Sequence, residues 1–195
     1  MPVSSLKEHI EQLENDLSAS PMRISVFRDL PFAILRYDPA EEWKLRHEAR
    51  LLATRLAESG REVVMISLAD LLWEALEECE GVDTIVRMEQ RSGFAAAQAQ
   101  ITKYLSDPVW APLPDLLASK LAPLDPRRHV VFLTRVAAMA PHIYFMSMLL
   151  DQMKGRTEVT SILLYPGARE GENQLRFMNL PSRDALGTYR VKIYG

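Results

Sequence analysis

His129-Val130-Val131-Phe132-Leu133-Thr134-Arg135 and Thr160-Ser161-Ile162-Leu163-Leu164-Tyr165 are two near-continuous apolar runs, and the stretch between them reads as an apolar helix over about Pro141 to Lys154. A strand that is apolar at almost every position has both faces covered, as in a parallel sheet flanked by helices. Strand, helix and strand therefore form a βαβ unit with a right-handed crossover, its second strand closed by Pro166-Gly167. The rest of the chain builds onto that unit.

Downstream, Ala168 to Asn173 is a polar loop, Leu175 to Met178 alternates weakly, and Tyr189-Arg190-Val191-Lys192-Ile193-Tyr194 alternates clearly. Period-two alternation predicts a half-exposed strand at a sheet edge. Upstream, Asp107 to Pro126 carries five prolines and a short helix near Asp115 to Leu121; it is an ordered connection, not a Gly/Ser linker. Val82 to Leu105 reads as mostly helical with a break at Gly93. Arg61 to Ser67 is a strand centred on Val63-Val64-Met65-Ile66, and Ser67 with Asp70 caps a helix over Leu68 to Glu80. Phe32 to Tyr37 is a further strand, and Asp38-Pro39-Ala40-Glu41 starts a helix that stops at Gly60. Arg23 to Val26 is a candidate brief edge strand. At the amino end, Ser5 and Glu8 form a capping box for an amphipathic helix over Ser5 to Leu17. The whole reads as one α/β domain over residues 1–195, a three-layer sandwich with a mainly parallel sheet of about five strands, helices on both faces and no P-loop; residues 1–20 are its peripheral helix.

Bulk properties narrow the function. The chain has 195 residues, 48% hydrophobic, with a formal net charge of -3, so no overall field draws it to nucleic acid or anionic membrane. Its single cysteine, Cys79, admits no intrachain disulfide and suits a reducing compartment. The amino terminus lacks the basic-then-apolar order of a secretory signal, and no apolar run approaches membrane-spanning length. A cytoplasmic location is expected.

Ligands of open parallel sheets bind outside the carboxyl ends of the strands. Asp38, Arg135, Tyr165, Pro166, Gly167 and Arg169 stand at those ends and are the candidate pocket or partner contacts, with Arg190 on the terminal strand. The turn after the first strand, Tyr37-Asp38-Pro39-Ala40-Glu41-Glu42, has no glycine or lysine and carries three carboxylates, the reverse of a phosphate cradle. Asp38 reads as a cap. Arg135 is either the partner of a carboxylate such as Asp38 or a contact for a ligand or partner acid. His9, His47, His129 and His142 are scattered outside metal-ligand spacing, no Gly-x-Ser-x-Gly elbow occurs, and Cys79 reads as inert. No catalytic, cofactor or metal residues are assigned.

Several stretches resemble the B component of the BREX bacteriophage-resistance systems. They are Phe32 to Pro39 with the Glu41-Glu42 helix, His129 to Val136, Leu149-Leu150 running to Gly155-Arg156, Leu163 to Gly167, Leu175 to Met178, and Tyr189 to Tyr194. The resemblance implies a cytoplasmic, non-catalytic defence component acting beside an alkaline-phosphatase-like protein, an AAA-type ATPase and an adenine methyltransferase. It transfers no catalytic residues. An adaptor is thus the leading expectation. The alternatives are a degenerate nucleotide-binding domain or enzyme with an unfamiliar pocket, and weak DNA binding through Arg169, Arg176, Arg190 and Lys192.

Overall fold

The computed structural model describes residues 5–24, 29–182 and 186–195. Helix α1 (Leu6–Ser18) precedes strand β1 (Phe32–Tyr37), a 3-10 turn (Pro39–Glu41) and α2 (Glu42–Glu58). Strand β2 (Glu62–Ser67) leads into four helices: α3 (Leu68–Cys79), α4 (Val82–Ser92), α5 (Phe94–Ser106) and α6 (Leu113–Leu121). Strand β3 (His129–Thr134), a 3-10 turn (Val136–Met139), α7 (Met146–Gln152) and β4 (Thr160–Arg169) follow. Three short strands complete the chain: β5 (Gln174–Phe177), β6 (Leu186–Thr188) and β7 (Lys192–Tyr194).

Five strands run parallel in the order β2-β3-β4-β1-β7, as expected for this α/β class. The connection from β1 to β2 crosses the sheet one way and those from β2 to β3 and β3 to β4 cross it the other way. Right-handed crossovers then place α2 on one face and the later helices on the opposite face. Successive side chains alternate accordingly. Phe32, Ile34, Val131, Leu133 and Leu163 join α3, α6 and α7 in the larger core, while Ala33, Leu35, Val130, Phe132, Ile162 and Leu164 join α1 and α2 in the second.

Local sequence explains most element ends. The Ser5 hydroxyl accepts from the Glu8 amide while the Glu8 carboxylate accepts from the Ser5 amide, closing the capping box. Ser67 Oγ accepts from the Asp70 amide at 3.1 Å, and Gly93, at φ 85°, separates α4 from α5. Three expectations need correcting. The helix expected over Pro141 to Lys154 is only α7, since residues 141–145 form turns and irregular backbone and Phe145, in extended conformation, precedes the first helical residue. Pro166-Gly167 does not close β4, which continues to Arg169 and pairs antiparallel with β5. The edge strand expected over Arg23 to Val26 lies partly outside the described residues, and Arg23 and Ile24 have no regular structure.

Helix α1 packs on the sheet through Leu6, Ile10, Leu13 and Leu17, with Glu14 paired to Arg55 of α2 and Asp16 holding Lys192 and Tyr194 of β7. His9 is buried in the same interface. Burial lowers its pKa, Arg36 and Arg169 lower it further, and Glu8 and Glu41 oppose them. A histidine whose folded-state value lies below its unfolded value is protonated first in the unfolded chain, so stability falls as pH drops below about 6.5. His9→Gln removes this contribution. Urea unfolding between about pH 7.5 and 5 will show a shallower loss of stability in the variant than in the parent.

Candidate functional site

The carboxyl ends of β1 to β4 meet at one edge of the sheet, and the turns after β1 and β2 are capped by their own side chains. After β1, Asp38 Oδ1 accepts from the Ala40 amide at 2.9 Å, so the expected cap is present. The Tyr37 hydroxyl donates to the Glu42 carboxylate, and Arg46 Nε donates to the same carboxylate at 2.7 Å. Burial and then the neighbouring Glu42 raise the Tyr37 pKa, so the phenol stays protonated at physiological pH. The Arg46 guanidinium also lies over the Trp43 ring, 4.9 Å from its centroid.

After β3, Arg135 takes the left-handed conformation, φ 55° and ψ 36°, which costs a residue with a Cβ about 1–2 kcal/mol. Its Nη1 donates to Asp70 Oδ1 at 3.0 Å. Asp70 of α3 is thus the acid Arg135 pairs with, instead of Asp38. With side chains 50% and 71% exposed, this is a surface ion pair worth at most about 1 kcal/mol. It leaves the guanidinium within reach of solvent.

The β4 end is built differently. Tyr165 is buried, its ring centroid 5.5 Å from those of Phe177 and Tyr189, and burial pushes its hydroxyl pKa up to about 12. The Pro166 carbonyl accepts from the Met178 amide at 2.9 Å. At Gly167 the β5 backbone runs so close that a Cβ would overlap the Arg176 carbonyl oxygen. Arg169 fans out to the carbonyls of Gly171, Glu172 and Gly195 at 3.0, 2.6 and 3.2 Å, tying the β4–β5 loop to the last residue after β7. Arg190 is exposed in the connection between β6 and β7.

Two depressions of about 290 and 310 Å³ adjoin at this edge and share Glu42, Arg46 and Arg135. Of the sequence candidates, Arg135 lines both and Pro166 lines the second; Asp38, Tyr165, Gly167, Arg169 and Arg190 line neither. Sequence reasoning missed Tyr37, Arg46, Arg50 and Met65, which line the first depression. One signal was present: Glu42 and Arg46 stand four residues apart at a helix start, the spacing of an ion pair.

Chemically the edge is a mixed-charge surface: side chains cap the turns after β1 and β2, while the 3-10 turn after β3 and the start of α2 carry no side-chain cap. Among the described residues no group of three His, Cys, Asp or Glu side chains could hold a metal ion. Of the four cations considered for DNA, Arg169 is committed to carbonyls, Arg176 to Glu170 at 2.7 Å and Lys192 to Asp16 at 2.5 Å. Among the described residues, no helix is long and apolar enough to cross a membrane.

A family model described as BREX protein BrxB matches residues 64–193, two thirds of the chain. The match runs from β2 to β7 and omits α1, β1 and α2. No curated protein and no solved structure matches.

Gly167→Ala tests the close approach of β5. It will lower stability by about 1–3 kcal/mol in urea unfolding, because the backbone of β5 must move to admit the methyl group. Gly171→Ala, where the added carbon meets only the Gln174 side chain at 3.4 Å and beyond, will stay within about 0.5 kcal/mol of the parent.

Proposed function

The chain belongs to the BrxB family of BREX proteins and is a component of BREX phage defence, and on that premise we propose that it is a non-catalytic adaptor holding a larger partner protein. The alkaline-phosphatase-like protein of the system is the partner proposed first, with the AAA-type ATPase and the adenine methyltransferase as further members of the assembly. Nucleic acid is reached through those partners, and the setting is the cytoplasm.

The observation that carries this reading is the state of the carboxyl edge. Asp38 caps its own turn, Ser67 caps α3, Glu42 is shared by Tyr37 and Arg46, and Asp70 holds Arg135. Where a phosphate cradle would have a glycine-rich turn, the turn after β1 is acidic and capped by Asp38, and it stands beside two depressions lined by paired charges. Protein partners are recognised by such surfaces of fixed shape and mixed charge. Arg135 is the natural contact. It is held in a costly backbone conformation between the two depressions, and strain of this kind concentrates at functional positions.

The tagged chain, expressed in a host carrying the complete defence gene cluster, will retain the alkaline-phosphatase-like protein on purification. Arg135→Glu will lose that protein while keeping the circular dichroism spectrum and melting temperature of the parent. Migration of the unmodified chain alone, with every other component expressed, would sink the adaptor reading. Magnesium ATP at millimolar concentration will leave the melting temperature unchanged. A ligand at 100 times its Kd would add about 2.7 kcal/mol, a shift easily seen by scanning fluorimetry.

A further inference from the structure

Parallel strands are ordinarily covered on both faces, and β2, the outermost strand, has full cover on one only. Val64 and Ile66 pack into the larger core beneath α3, α6 and α7. On the opposite face α1 and α2 lie over the inner strands, and Met65 is left 43% exposed. A trough results. Its floor is Val63 and Met65 of β2, and its wall is α2, where Ala49, Ala53 and Ala57 follow one another at turn spacing and keep the wall low. The carboxyl-edge depression of about 290 Å³ forms one end, and a second depression of about 530 Å³ beside Glu62 and Val63 forms the other.

The rim of the trough is basic. Arg46, Arg50, Arg61, Arg128 and Arg135 line it; Arg46 pairs with Glu42, Arg128 with Glu62 and Arg135 with Asp70, while Arg61 donates to the Arg127 carbonyl. This is five arginines to three acids in a chain whose formal net charge is -3, with Arg50 and Arg61 the two that pair with none of the three. Arg50 stands exposed on α2.

We propose that the trough docks an amphipathic helix of another protein, its apolar stripe on Val63 and Met65 and acidic residues on its flanks facing Arg50 and Arg61. The dimensions suit a helix. The 17 residues of α2 extend about 25 Å, and a helix packed on an alanine-lined wall settles about 8–10 Å from its axis. A second copy of this chain fits less well, since joining two β2 edges about a two-fold axis would set arginine rim against arginine rim. The inference rests on the adaptor reading and names the surface that reading needs.

The test places a photo-crosslinking amino acid at Met65 of the tagged full-length chain in a host carrying the whole defence cluster, with the same amino acid at the exposed Trp73 of α3 as control. Ultraviolet irradiation will join Met65, and not Trp73, to a segment of a defence protein that is acidic and apolar at helical spacing. A synthetic peptide of that segment will bind the purified chain with an affinity that falls as salt rises, and Arg50→Glu will weaken it by about tenfold or more while leaving the melting temperature unchanged. Three outcomes overturn the proposal while sparing the adaptor reading. They are a retained partner with no cross-link at Met65, a cross-link to another copy of this chain, and a cross-linked segment that is basic or lacks helical periodicity. Retention of no defence protein at all removes both readings.

Discussion

The ladder between β1 and β4 is the contact on which the sheet depends. Six consecutive residues of β1, Phe32 to Tyr37, pair with Ser161 to Pro166, and the other edge of β1 carries β7. Without β1, the strand pair β2-β3 would still extend to β4, but β7 would lose its strand neighbour among the described residues and α1 would keep chiefly its packing on α2. Asp16 of α1 reaches both Lys192 and Tyr194, so the amino-terminal helix and the last strand are joined across β1 as well as through it. The family match begins at Val64, beyond β1, and therefore covers strands that need a central element from outside the matched residues.

Much of this architecture was legible in the sequence because the deciding interactions are local. A capping box spans three residues, a cap such as Asp38 or Ser67 reaches two or three residues ahead, and a glycine such as Gly93 breaks a helix where it stands. The apolar runs of β3 and β4 announce burial on both faces because helices do cover both faces there. The same rule does not carry to β2, whose run Val63 to Ile66 is equally apolar, because Met65 is 43% exposed on a side of the sheet that no helix fully covers. Strand order decides that, and strand order is a property of the whole chain.

Contacts between distant residues account for the other gaps. Arg135 was recognisable as a buried strand's terminal cation, but its partner, Asp70, lies 65 residues earlier, on α3. The Tyr165-Pro166-Gly167 segment reads as a turn from its residue types. It is a strand because β5 returns alongside it, Met178 donates to Pro166, and Tyr165 stacks with Phe177 and Tyr189. Arg169, which stands at the end of β4 like a ligand residue, is instead a brace for the chain's last residue. The carboxyl edge of this sheet thus keeps the geometry of a ligand-binding fold while pairing several of its charged side chains with one another.

The separation of β1 from its principal neighbour also governs how the molecule comes together in time. Phe32 and Ser161 are register partners 129 positions apart, so β1 is synthesised long before the strand beside it exists. At about 5–20 residues per second, an apolar segment waits several seconds or more on the ribosome with neither parallel neighbour in place. Closing so long a loop must precede the contacts that reward it, which makes the acquisition of structure slow and leaves β1 open to mispairing meanwhile. Of the five parallel strands, the first to leave the ribosome is thus the one whose two neighbours, β4 and β7, are among the last.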